Sequence, residues 1–278
     1  MNRTRWLLLA TAVPLLIVLG LLASAALDGG GAPASRAPGA AAVSTASPGA
    51  RSFAAAGSLR TDVGSGARGA AIFRPRGATA PGPVVIFLHG WLANDPAFYG
   101  HWIEHLVRRG VTVIYPTYQE PPFTDVRSPL PNAIAALRIA LPQVRLAPGR
   151  LVVAGHSAGG ALAADYAASA RAAGLPAPAA VFSVYPGRSL RGIPLVIPTV
   201  SAGRIPAGTR LLVLAGAGDR VVGSRVARTI VRTATRARAT LRIVRDPRVD
   251  DHGAPVRAEP AARRVFWAPL DRLVAATR

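Results

Sequence analysis

The chain has 278 residues, half of them hydrophobic and 17% charged, so it carries enough apolar material for a real core and is not a disordered polymer. A single long apolar run near the start excludes a multi-span membrane protein and leaves room for one folded domain of roughly 200 residues. All 33 cations are arginine, set against 13 acids for a net charge of +20, and the absence of cysteine excludes disulfides, thiolate nucleophiles and cysteine metal sites.

Arg3 and Arg5 precede the run Trp6 to Leu22, which small residues extend to Leu27, and no further cation occurs before Arg36. This is the pattern of an export segment whose cationic end stays in the cytoplasm. Residues 1–27 are expected to be a signal peptide cut near Ala23-Ser24-Ala25, or an N-terminal membrane anchor. About 20 apolar residues are enough to span a bilayer, which tilts the reading toward the anchor. The separated Arg3 and Arg5 are not a twin-arginine signal. The expected location is extracytoplasmic, membrane-anchored or secreted. Residues 28–59, rich in Ala, Gly, Pro and Ser, bury too little apolar surface to offset chain entropy and are expected to be a flexible linker. The folded domain is then 60–278.

Within it, strands are expected at Ala70–Phe73, Val84–Leu88, Val111–Tyr115, Leu151–Ala154, Ala180–Val184, Leu211–Leu214 and Leu241–Val244. Helices are expected near 97–109, 131–142, 158–173, 223–238 and 260–276. Such alternation implies an α/β fold, a mostly parallel sheet covered on both faces, with chemistry sought just after the strands.

The strand Leu151–Ala154 runs into Gly155-His156-Ser157-Ala158-Gly159-Gly160 and then into an Ala-rich helical stretch. This is G-x-S-x-G between strand and helix: a sharp turn that projects the serine hydroxyl and needs small residues on both sides. In this setting the chain resembles the α/β-hydrolase superfamily over about residues 65–278, and within it compact bacterial carboxylesterases and dienelactone-hydrolase-like and polyester-hydrolase-like proteins.

The resemblance implies an α/β-hydrolase fold with a small cap or none, and the chain order nucleophile, acid, base. Only His252 lies downstream of Ser157, so a histidine base in that order is His252, within Val249-Asp250-Asp251-His252-Gly253. Among Asp165, Asp219, Asp246, Asp250 and Asp251, the position after a late strand favours Asp219. Asp165 falls two turns down the helix, and Asp250 and Asp251 adjoin the histidine. Ser157 would attack an acyl carbon, His252 take its proton, and Asp219 orient the imidazole. The resemblance also implies an oxyanion hole from the Ala158 N–H and an amide in the loop after Val84–Leu88, where His89-Gly90 matches the family's motif. That second donor is Trp91, with Leu92 as the alternative. The full H-G-G-G form of some lipases is absent. Tyr99, Tyr118 and Phe123 are read as packing near the pocket, and Ile193 to Pro198 as a pocket wall, a small lid or a buried connection.

His101-Trp102-Ile103-Glu104-His105 also reads as H-x-x-E-H, an inverted zinc-protease pattern, but it lacks a further ligand and sits on an amphipathic helix, so neither metal nor cofactor is expected. Arg225, Arg228, Arg232 and Arg236 recur at helical spacing. A solvated face is the simple reading, and contact with anionic envelope material the sharper one. No aromatic residues interleave with them, so nucleic acid is not an expected partner. The expected protein is a monomeric exported serine hydrolase acting on small-molecule, lipid or polymer esters through an acyl-enzyme. An envelope acyltransferase with the same triad and a non-enzymatic binder of anionic envelope polymer are the alternatives.

Overall fold

A computed structural model describes residues 53–120, 124–189 and 196–277. The expected export segment, most of the expected linker, Phe123 and Ile193 to Leu195 lie outside the described residues. Among the described residues no helix is long and apolar enough to cross a membrane.

Eight strands form one sheet: β1 (Ser58–Val63), β2 (Ala70–Pro75), β3 (Gly82–Leu88), β4 (Thr112–Pro116), β5 (Leu146–His156), β6 (Ala180–Val184), β7 (Arg210–Gly216) and β8 (Arg238–Val244). Their order is β1-β2-β4-β3-β5-β6-β7-β8. β1 and β2 are antiparallel to their neighbours, and all pairs from β4 to β8 are parallel. The main helices are α1 (Gly100–Arg108), α2 (Pro129–Ala140), α3 (Ala158–Ser169), α4 (Arg225–Thr233) and α5 (Ala268–Ala276).

The central strands are continuous apolar runs because both of their faces are covered: Val84, Val85, Ile86, Phe87 and Leu88 are all buried. Val84, Ile86 and Leu88 belong to a core with Ala133 and Leu137 of α2 and Leu162 of α3. On the other face, Phe87 meets Trp102 of α1 edge-on. Every residue of α3 but its last is buried, and its alanines and glycines let it lie close against the sheet.

Two expectations need correcting. The folded domain does not wait until residue 60: Ser58 and Leu59 open β1, and Ala55 is already buried. β1 is an edge strand paired only with β2, so its polar alternation gives no apolar run to detect. The helix expected at 223–238 stops at Thr233, since Arg238 already pairs with Arg210 of β7. Arg236 therefore lies off the helix, although it is exposed like Arg225, Arg228 and Arg232.

The sheet's order reverses between β3 and β5, whose ends are in register with Leu88 opposite Gly155. Chains leaving neighbouring parallel strands in opposite directions open a crevice at the strands' carboxyl ends. The loops that begin at His89 and at Ser157 therefore lie side by side.

Candidate active site

Ser157 stands at the turn from β5 into α3 with φ 57° and ψ −121°, a left-handed conformation that is strained for a residue with a side chain. Its N–H is held by Val184 O at 3.0 Å, and its own carbonyl accepts from Gly187 N–H at 3.0 Å. The flanking glycines are steric requirements. A Cβ on Gly159 would lie 2.0 Å from Leu88 O, and one on Gly155 would lie 2.2 Å from Gly159 O.

His252 brings Nε2 to 2.9 Å from Ser157 Oγ and Nδ1 to 2.8 Å from Asp219 Oδ2. With Nδ1–H donating to the carboxylate, the Nε2 lone pair faces the serine hydroxyl. Asp219 follows β7 through Gly216 and Gly218, and its Oδ1 accepts from the N–H groups of Val221 and Val222 at 2.9 and 3.1 Å. Burial pushes this carboxyl up, but the hydrogen bond and charge of His252 and the two amides outweigh it, and the net shift is below the ordinary carboxylate range. The rival acids are committed elsewhere. Asp165 forms a buried two-pronged pair with Arg188, Asp246 pairs with Arg248, and Asp251 pairs with Arg257. Asp250 sets its carboxylate against Gly218, where a Cβ would lie 2.7 Å from Oδ1, while the imidazole faces Asp219. Tyr185, at φ 47°, donates to Val249 O at 2.6 Å and so ties the histidine's loop to the end of β6.

Among the described residues, the N–H groups of Trp91 and Ala158 have no hydrogen-bond acceptor. Leu92, the alternative donor, has φ 62° and gives its N–H to Gln119 Oε1 at 2.7 Å, so that amide is occupied. The Gly90–Trp91 peptide is held through its carbonyl, which accepts from Ala93 N–H at 3.1 Å and lies 2.7 Å from His89 Nδ1. In a trans peptide, fixing the carbonyl also fixes the direction of the Trp91 N–H. Residues at the end of β4 and just after it clamp the rest of this loop. Tyr118 Oη donates to His89 O, Tyr115 Oη to Ala93 O, and Asn94 Nδ2 to Gln119 O. The His89 ring stacks on Tyr118 with centroids 4.0 Å apart, and burial pushes its pKa down to about 4 against the pull of the facing Gly90 and Thr117 carbonyls.

The sequence pattern missed Gln119, which carries no motif signal, and undervalued Tyr99 and His156. Tyr99 and Tyr118 are indeed buried, but their hydroxyls are placed in the site's frame. His156 is the variable position of G-x-S-x-G, and both of its ring nitrogens are engaged, with Tyr99 Oη and His252 O. The H-x-x-E-H side chains are drawn apart: His105 bonds Asp271 at 2.9 Å, Glu104 pairs with Arg108, and His101 is exposed.

The chain is similar to several known proteins. Residues 85–202 match the model of a family described as α/β hydrolase fold. A stretch of 118 residues is 33% identical to an acetyl-hydrolase of Streptomyces hygroscopicus, covering 41% of this chain and 39% of that protein. The chain thus spans well under half the length of that relative. Among solved structures, a thermostable esterase from Pseudomonas putida superposes with TM-score 0.61 at 21% identity, over 81% of this chain and 85% of the other. An esterase/lipase from an uncultured bacterium does so with TM-score 0.60 at 20% identity, over 84% and 95%. Sheet order, elbow and crevice together define the α/β-hydrolase fold. This chain has that fold, and the stretch 85–202 is similar to the family's model.

Proposed function

We propose that the protein is an exported serine hydrolase that cleaves carboxylic esters through an acyl-enzyme. The observation that carries this reading is the continuous hydrogen-bonded row of Ser157, His252 and Asp219 beside two unengaged backbone N–H groups. Ser157 Oγ attacks the ester carbonyl carbon while His252 Nε2 takes its proton, and Asp219 stabilises the imidazolium that forms. The tetrahedral oxyanion is received by the N–H groups of Trp91 and Ala158, the latter at the positive end of α3. His252 then returns the proton to the departing alkoxide, and water resolves the acyl-enzyme by the same steps in reverse roles. Short acyl groups are the favoured substrates, a choice supported by the similarity to an acetyl-hydrolase. Export rests on Arg3, Arg5 and the apolar run that follows them.

The test is hydrolysis of p-nitrophenyl esters from acetate to palmitate by the full chain, beside Ser157→Ala. Turnover highest on acetate and lost in the variant, together with fluorophosphonate labelling of the wild type alone, is the expected result. A folded wild type that neither turns over these esters nor takes the label overturns the reading.

A further inference from the structure

His156 and Tyr99 sit behind the triad, and the chemistry of their contacts fixes which atom donates at each step. The carbonyl of His252, 3.0 Å from His156 Nε2, offers only lone pairs, so Nε2 must carry the proton. His156 Nδ1 is then an acceptor, and the atom facing it at 2.9 Å is Tyr99 Oη, which must donate. The same hydroxyl oxygen accepts the Gly90 N–H at 2.9 Å. The result is one directed chain, from Gly90 N–H to Tyr99 Oη, from Tyr99 O–H to His156 Nδ1, and from His156 Nε2–H to the His252 carbonyl. Its first member lies in the oxyanion loop, next to the Trp91 amide, and its last is the backbone of the base.

The inner members are enclosed. Tyr99 is 3% and His156 4% exposed, and a Cβ on Gly90 would meet Tyr99 Oη at 3.1 Å and Ser157 Cβ at 3.6 Å. Burial, with the nearby His252 as a second cause, holds the His156 imidazole well below its ordinary value, in keeping with a ring that donates only from Nε2. The groups facing His156 are Tyr99, His252 and, through His252, Asp219.

We propose that Tyr99 and His156 are positioning residues that lock the oxyanion loop and the general base into one register across the nucleophile. The proposal rests on the esterase reading, since it assigns the two residues to the same site. A shift of one end of the chain moves the other. Loss of any link therefore loosens the Gly90 N–H end of the oxyanion loop and the backbone that carries the His252 ring, which lowers the rate of the chemical step more than substrate binding.

The experiment uses the full chain with Tyr99→Phe, His156→Leu, His156→Gln and the double variant Tyr99→Phe/His156→Leu. Tyr99→Phe and His156→Leu should each lower kcat on p-nitrophenyl acetate by about 10- to 100-fold with KM within about twofold, the cost typical of a misplaced catalytic group. His156→Gln, which keeps a donor for the His252 carbonyl, should recover part of that loss. The double variant should lose no more than the worse single variant, because both break the same chain. Unchanged kcat in Tyr99→Phe, a loss carried by KM alone, or fully additive losses would each overturn the proposal. A readout independent of activity is the ¹⁵N spectrum of the histidines in Ser157→Ala. His156 should show a neutral, Nε2-protonated ring from pH 5 to 8, and a ring that titrates there or is protonated at Nδ1 overturns the chain even if the leucine variant fails to fold. If the wild type takes no fluorophosphonate label, the esterase reading fails, and the spectrum still decides whether the hydrogen-bonded chain exists.

Discussion

At the residue scale, Asp219 matters through two different faces of one carboxylate. Oδ1 is consumed by the amides of Val221 and Val222, which fix the side chain, while Oδ2 alone receives the imidazole N–H. Asp219→Asn can keep the amide contacts with its carbonyl oxygen, but it then turns an NH₂ toward His252 Nδ1. That favours the tautomer with the proton on Nε2, and the histidine can no longer accept from Ser157. The expected fall in kcat is on the order of 10⁴-fold with the melting temperature little changed, measured on p-nitrophenyl acetate. Leu92 teaches a related lesson. The family resemblance points to Trp91 as the second oxyanion donor with Leu92 as the alternative, and a distant residue, Gln119, occupies the Leu92 amide.

At the scale of elements, the strand–elbow–helix unit of β5, Ser157 and α3 works because three backbones meet almost without side chains between them. Gly159 is the tightest point, since its missing Cβ leaves room for the Leu88 carbonyl at the end of β3. Gly159→Ala should therefore force β3 and α3 apart and cost about 3 kcal/mol, seen as a lower melting temperature and a loss of ester hydrolysis together. Unchanged stability would mean that the elbow tolerates separation. The apolar runs that announced β3 to β7 were legible because each is buried on both faces, where alternation gives way to continuous hydrophobicity. β1 and the end of α4 are hard to read from the sequence for the complementary reason. Edge strands such as β1 and β8 bury one face only, and arginines at Arg238 and Arg242 on exposed positions blur a strand pattern into a charged helix pattern.

At the scale of the molecule, the fold buries two imidazoles, His89 and His156, and burial pushes both below their ordinary value, His89 against two facing carbonyls of which a neutral ring can donate to only one. An unfolded chain takes up protons at these positions as pH falls through about 6.5, whereas the folded chain resists, His89 until about 4. Below pH 6.5 the unfolded state therefore binds more protons, and stability falls with decreasing pH by roughly 1.4 kcal/mol per pH unit for each such group. Asp219 adds a second loss at lower pH. Its depressed pKa stabilises the fold above the ordinary carboxylate range, and that contribution disappears as pH drops through the folded value. Thermal melts should accordingly show a plateau above pH 7 and a clear drop by pH 5, with no matching drop expected from surface arginines, which stay charged throughout. A melting temperature equal at pH 7 and pH 5 would mean that these rings are not held neutral.

The sequence by itself determined the sheet's parallel core and the glycine-flanked turn at Ser157, and the resemblance to the family's chain order added a short set of candidates for base and acid. Those features are local: an apolar run, a glycine two residues on either side of a serine, a histidine with no downstream rival. Only the tertiary structure decided which carboxylate faces His252, which of two adjacent amides stays unengaged beside Ser157, and that Tyr99 and His156 join the loop after β3 to the loop after β8. Each of these depends on side chains far apart in the chain meeting at one crevice, and hydrogen-bond partners at such separation leave no periodicity or spacing in the sequence to read.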